Sequence, residues 1–386
     1  MPTPTRKHTP PQHGFTGHAN YRNAHRCILT NPFKSEVKYF GTRDFTPGQV
    51  SWNIETASSS YSSVSATADH LRQDWENCPS GEEVLKVLRG IPETEAEALA
   101  NRVLLTQYRA LPAAVRRELE QDTMVIFDFH GDPYWGDPGT VAVLHGQKVH
   151  DSNFHFVYLT ADLVSAHYHF TLYITSRVEG FPVASYLPDA LAQVRKVAEP
   201  RLTLFDGEFP TVELLSYLDQ SLLPWDARKS FTKSVKDALL IYAQDPKQLE
   251  HRRWHIAEIK DARSGKSVHV HVSVQKVHGK LKAITKPIWY SQPVAEAVKN
   301  YERRFSIDSG YKDKHTFLAR TSSRSWVIRL MLFLYSVLLW NAWRLALAWT
   351  FLRGVPPLLP GERPHLAKIR VAFQLTDFFL HKAWKL

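Results

Sequence analysis

Two short apolar runs, each delivering an aspartate into a glycine-marked turn, limit what this chain can fold into. In TMVIFDFHGDPYWGD the run Met124 to Phe127 ends at Asp128, and the GDP and GDPG sequences beyond it mark a turn. In RLTLFDGEF a second run ends at Asp206, directly before Gly207. Runs without polar alternation are expected of strands buried on both faces, which belong to sheets covered by helices. A carboxylate at the end of such a strand is costly to hold unless it binds something, such as a cation. Either aspartate alone reads as a turn residue. The repetition, with strands and a helix between, predicts an α/β sheet with Asp128 and Asp206 at the same edge of adjacent strands.

The neighbouring segments fit that sheet. NFHFVYLTADLV and HYHFTLYITSRV read as strands paired side by side, and LPDALAQVRKVA as a helix with Pro188 near its start and Asp189 in its first turn. PTVELLSYLDQ is a further helix. From Arg253 to Tyr290 the chain turns β-rich. SVHVHVSVQKV alternates valine with polar residues, which predicts one buried and one wet face, and SGK and HGK mark hairpin turns. This stretch is basic and carries His255, His269, His271 and His278, so it suits a β insertion lying along DNA. A zinc site there would lack cysteine and an HExxH spacing.

Ahead of the sheet, Met1 to about Ala66 is rich in Pro, Thr, Ser and His and includes ASSSYSSVSA, which predicts a loosely structured segment. Its Arg6, Lys7, Arg22, Arg26, Lys34 and Lys38 suit tracking of phosphates, and a plain tail is the other reading. Thr67 to Gln121 is helical in pattern. EEVLKVLRG ends at a C-cap glycine, Gly90, and two more helices follow, PETEAEALANRVLLTQYRAL and LPAAVRRELEQ. They form either a small DNA-end-binding module or a helical lid on the next domain. The net charge of +10, from 48 Lys and Arg against 38 Asp and Glu, favours an anionic partner. Cys27 and Cys78 give no disulfide framework and point to a reducing compartment.

The segment YERRFSIDSGYKDKHTFLARTSS reads as a helix. Tyr301, Arg304, Asp308, Tyr311 and His315 fall on one face of it at 3.6 residues per turn. An Arg304–Asp308 pair on a solvated face is the plain reading. With Asp128 and Asp206 upstream, Asp308 becomes the third acid of a carboxylate cluster, the donor set that suits Mg²⁺ or Mn²⁺. Two such ions about 3.5–4 Å apart serve an in-line phosphodiester displacement. After this helix comes SWVIRLMLFLYSVLLWNAWRLALAWTFLR. Its charge-free part, Leu330 to Trp343, is interrupted by Arg344 and is shorter than the ~20 residues of a membrane span, so a buried core helix is expected, with a membrane anchor as the rival.

These pieces resemble the DDE transposases of bacterial and archaeal insertion sequences. The group in question has Tyr, two residues, Arg, three residues, Glu, and then a basic residue about two turns on. Tyr301, Arg304 and Asp308 reproduce that spacing, and GYKDKHTFLARTSS looks like the tail of a halobacterial-type subgroup. FDGEF around Asp206 and IFDFHGDPYWG around Asp128 look like the first two acidic motifs, so the likeness runs from about Thr123 to Arg344. It implies an RNase H-like mixed sheet with flanking helices, a β-rich insertion and an N-terminal helical region. It also implies DNA cleavage and strand transfer, two divalent metals and a homodimer that synapses two element ends. Asp128, Asp206 and Asp308 would hold the metals, Tyr301 and Arg304 would contact DNA near the transferred end, and Trp135 would stack on an unpaired base or pack beside the sheet. Two departures stand out. Asp308 replaces Glu and is one methylene shorter. His315 stands where the family has Lys, so Lys312 or Lys314 would substitute.

The expected organisation is a loosely structured basic region at 1–66, a helical region at 67–122 and a catalytic domain at 123–345. The β insertion falls at about 230–292 and a tail at 346–386. The expected partner is double-stranded DNA, without a membrane, in a prokaryotic cytoplasm at the nucleoid. A catalytically impaired or domesticated DNA-binding relative is the alternative.

Overall fold

The computed structural model describes residues 44–74, 78–121, 123–207, 209–229, 254–261, 264–277 and 280–352. The side chains of 74, 229, 275–277, 280–282, 304–313 and 346–352 are left out of the description. The expectations for 1–43, for the His278-Gly279 turn and for the tail beyond 352 lie outside the described residues.

Nine strands form one mixed sheet among the described residues: β1 (Met124–Tyr134), β2 (Val143–Val149), β3 (Ser152–Val164), β4 (His169–Ser176), β5 (Leu202–Phe205), β6 (Trp225–Lys229), β7 (His255–Lys260), β8 (Ser267–Val277) and β9 (Lys280–Pro287). The order is β2-β3-β1-β5-β6-β9-β8-β7. On the outer flank of β3, β2 pairs with its first half and β4 with its second. β1, β5 and β6 run parallel and the remaining pairs antiparallel. The β-rich insertion therefore extends the same sheet through the β6–β9 pairing. Val270, Val272 and Val274 of β8 are fully buried, as the alternation predicts. Gly265 turns the β7–β8 hairpin with φ +68°, a conformation that favours glycine.

One expectation about β1 fails. The strand does not end at Asp128 but continues to Tyr134, because β3 pairs with it over its whole length, from Met124↔Val164 to Tyr134↔Phe154. β5 stops at Phe205, so beyond Asp128 only β3 flanks β1. Pro133 is tolerated there because it lacks a donor only on a one-sided stretch of strand.

The helices are α1 (Pro47–Ser60), α2 (Val64–Asp74), α3 (Gly81–Arg89), α4 (Glu93–Arg109), α5 (Ala113–Gln121), α6 (Leu187–Arg195), α7 (Val212–Gln220), α8 (Val294–Thr316) and α9 (Trp326–Leu352). α1 overturns the expectation of a loose segment over 47–60. Pro47 opens it, Thr46 and Gln49 close a reciprocal capping box, and Val50, Ile54 and Ala57 make a buried stripe. Its serines are packing residues: Ser51, Ser58 and Ser59 are buried, and Ser51 Oγ lies 2.8 Å from the Tyr335 hydroxyl of α9. α9 is long and apolar enough to cross a membrane, but 94% of its most apolar window is buried inside the protein. It packs on β4, α4 and α1, which makes it the expected core helix. One hydrophobic cluster joins Val50 of α1, Leu99 of α4, Phe127 of β1, Leu172 of β4 and Leu332 of α9. The N-terminal helices thus share their core with the sheet.

Two asparagines finish the β4 edge. Asn101 of α4 gives its amide N–H to the Ile174 carbonyl and accepts from the Ile174 N–H, both at 2.9 Å. Asn341 of α9 does the same to Thr171, at 3.0 and 2.8 Å. Each amide supplies the donor and acceptor that a neighbouring strand would.

Candidate active site

The β1–β5 register determines the relation of the two strand aspartates. Phe127 is opposite Phe205 in a parallel pair, so Asp128 and Asp206, the next residues of each chain segment, stand side by side at the carboxyl end of β5. Below them the Phe127 and Phe205 rings stack at 5.2 Å, with 8° between planes. Phe129 stacks on Phe209 at 4.6 Å, and the Arg177 guanidinium lies 4.6 Å over the Phe129 ring. Each aspartate accepts a hydrogen bond from the next backbone N–H: Phe129 N to Asp128 at 2.8 Å, and Gly207 N to Asp206 at 2.5 Å. Asp128 is 8% exposed. Arg228 of β6 lies beside the second turn, where a methyl group built on Gly207 would sit 3.7 Å from its Cδ.

Helix α8 crosses this face of the sheet. Toward its start, Tyr301 is fully buried with Ala297 and Ile284 of β9. Toward its end, Lys314 is fully buried as well. Its Nζ donates to both oxygens of Asp162 on β3, at 3.0 and 3.2 Å, and lies 4.5 Å over the Trp340 ring of α9. These positions correct two expectations: Tyr301 and Lys314 face the interior and are not placed to contact DNA. A phenol packed on apolar neighbours and an ammonium enclosed with its carboxylate leave no surface for a phosphate. Arg304, Asp308 and Lys312 lie on α8 between these two anchors, and their side chains are outside the described ones.

Electrostatics tie Lys314 to the strand acids. Burial pushes its ammonium below the usual pKa, and the charges of Asp162 and then Asp128 pull it back. Burial works against the Asp162 carboxylate, but Lys314 and the His169 hydrogen bond outweigh it and hold that carboxyl well below the usual range. His169 Nε2 lies 3.1 Å from Asp162, and burial holds the ring neutral, with its pKa lowered to about 4. Farther along β1, burial and then the His315 charge lower His130 to about 3. The Asp132 carboxylate there pairs with Arg329 at 2.9 Å.

Beyond Asp132 an open cleft of ≈ 500 Å³ includes Tyr61, Trp135, His150, His315 and Arg320. Trp135 is 66% exposed and donates its indole N–H to the His150 carbonyl at 3.1 Å, so the reading of it as a packed aromatic does not hold.

Two neighbouring carboxylates are oxygen donors of the kind a hard divalent cation takes, so the pair fits Mg²⁺ or Mn²⁺ in chemistry. Among the described residues, which do not include the Asp308 side chain, no three His, Cys, Asp or Glu side chains gather as a metal-binding group. The histidines of the β insertion that are described, His255, His269 and His271, form no such group either. Sequence reasoning missed Arg228 and Asp162. Arg228 could have been found as the basic residue just past the apolar part of the strand after the Asp206 turn, WDARK. Asp162 carried a weaker signal, an acid inside the apolar run VYLTADLV.

No family model matches the chain, and no curated protein matches it. Its fold is similar to that of a solved piggyBac transposase, determined in a synaptic complex with hairpin DNA. The two share 12% sequence identity with a TM-score of 0.50, over 94% of this chain and 81% of the other. At that identity the likeness is one of fold, a mixed α/β architecture.

Proposed function

We propose that the chain is a DNA transposase of the DDE type, with an RNase H-like catalytic core. It would bind the ends of its own insertion sequence, cleave phosphodiester bonds with Mg²⁺ or Mn²⁺, and join the released 3′-hydroxyls to target DNA. The observation that carries this reading is the β1–β5 register, which puts Asp128 beside Asp206, in a sheet whose β1 and β6 strands pack against α8, the helix that bears Asp308. The fold likeness to a transposase–DNA complex supports it.

Asp128, Asp206 and Asp308 would hold two ions. When bound, such a pair supplies charge stabilisation to the attacking and leaving oxygens of an in-line displacement. The remaining work is placement and charge compensation by the protein. The stacked Phe127 and Phe205 rings give the two strand acids a rigid base. Arg228 lies beside Gly207, next to Asp206, and its guanidinium would offer a phosphate there two donors at once. Arg304 and Lys312 are the remaining basic candidates on α8 for DNA contact. Two copies of the chain would synapse two element ends, as a homodimer, and the likeness of the tail after Asp308 supports the halobacterial-type subgroup.

The test is Mg²⁺- or Mn²⁺-dependent cleavage of a plasmid carrying the gene's own flanking DNA, with wild type, Asp206→Asn and Asp308→Glu compared. Cuts at defined ends by wild type, abolished in Asp206→Asn, are expected. Because an aspartate at 308 is a methylene short, a catalytically impaired DNA-binding relative is the second reading. Silence in wild type with cleavage gained by Asp308→Glu would establish it, and silence in all three would sink the transposase assignment.

A further inference from the structure

The Asp162–Lys314 pair is enclosed by four elements. Asp162 comes from β3, Lys314 from α8, His169 from β4 and Trp340 from α9, and both charged side chains are at most 1% exposed. The α8 backbone is held at the same place, where Ser336 Oγ donates to the Lys314 carbonyl at 2.8 Å. A buried ion pair gives little stability over an apolar pair of similar volume, but breaking one leaves an uncompensated charge in the interior. Such a pair therefore penalises misalignment more than it favours folding. A slip of α8 by one turn, about 5.4 Å, would separate both charges from their partners.

The alignment it defines is the one the acids need. Asp162 is opposite Ile126 and Thr160 is opposite Asp128, so the pair grips the strand couple about 7 Å from Asp128, two residues along β1. On α8 it lies less than two turns from residue 308. We infer that Asp162 is a positioning residue: through Lys314 it fixes where α8 lies along the sheet, and so where residue 308 stands relative to Asp128 and Asp206. The consequence for metal binding rests on the metal-site reading above, whereas the fixing of the helix does not.

The experiment uses full-length protein with Cys27 and Cys78 replaced. Spin labels go at the exposed positions 302 on α8 and 213 on α7, and the label–label distance is measured by pulsed electron resonance, alongside Mn²⁺ affinity and the melting temperature. Wild type is compared with Asp162→Leu combined with Lys314→Met. We expect the double variant to melt at or above wild type, to broaden or shift the label distance, and to bind Mn²⁺ about 10- to 100-fold more weakly. An unchanged distance distribution would overturn the inference. If wild type binds no Mn²⁺ but the distance still broadens in the variant, the metal reading fails and the positioning role stands. Should the double variant not fold, Asp162→Asn, which removes the charge but keeps a hydrogen-bonding group, is read by the same two measurements.

Discussion

On β6 the Asp226 carboxyl group is closed off from solvent, with the Gln292 amide and Lys286 as polar neighbours. Burial raises its pKa to about 7 from an ordinary 3.8, against the pull of the Gln292 amide and then of Lys286 on β9. The folded chain therefore holds this proton more tightly than the unfolded chain does. The stability that follows is complete below pH ~4 and is lost as pH rises through about 7. In Asp226→Asn that loss should vanish. Urea midpoints of the variant and wild type should agree near pH 4, and the variant should be the more stable at pH 8. Equal midpoints at both pH values would mean that Asp226 does not retain its proton on folding. Lys286 meets the same burial differently: its Nζ lies 3.0 Å from His271 Nδ1 and 5.0 Å over the Trp254 ring, and it also donates to the Tyr290 carbonyl.

At the scale of elements, α1 and α9 illustrate opposite sources of stability. α1 opens on a capping box, so Thr46→Ala should cost about 1 kcal/mol by removing the side-chain acceptor of the Gln49 N–H. α9 depends on packing. Phe333 stacks on Tyr158 at 4.2 Å and on His130 at 5.2 Å, and Phe333→Ala should cost about 3–5 kcal/mol. Thermal or urea denaturation of both variants checks the order of the two losses, and a larger loss at Thr46 would contradict this account. The same two helices show what the sequence could reveal. The length and composition of α9 sufficed to identify a core helix. α1 was missed because its stripe of Val50, Ile54 and Ala57 is sparse and runs into ASSSYSSVSA, where small serines that pack closely have no hydrophobic periodicity to read. The helix predicted over YERRFSIDSGYKDKHTFLARTSS begins earlier, at Val294, and ends at Thr316 rather than running on to Ser323. The alternation in β8 and the stretch Tyr301–Thr316 were legible because their periods are strong, and the strand–aspartate units because their apolar runs are unbroken. The burial of Tyr301 and Lys314 was not, since helical spacing says which residues share a face and not what covers that face.

For the whole molecule, the formal charge of +10 and the proposed DNA partner lead to a salt test. The logarithm of duplex affinity should fall linearly with the logarithm of salt concentration, by about 0.9 for each phosphate neutralised. A slope near zero would argue against a phosphate-tracking surface. The continuous core from α1 to α9 also implies that the N-terminal helices are no detachable module: cutting the chain between Gln121 and Met124 should expose Val103, Leu104 and their partners on α9 and yield insoluble fragments. The two asparagines on β4 have a further consequence. A sheet edge normally invites another strand, but Asn101 and Asn341 already answer the β4 backbone with amides carried by helices, and β2, on the same flank, is short and broken in register. An intruding strand there would have to pull two helices out of the core. Among the described residues the sheet is therefore open to lengthening past β7, and β7 is where a strand from another polypeptide would join.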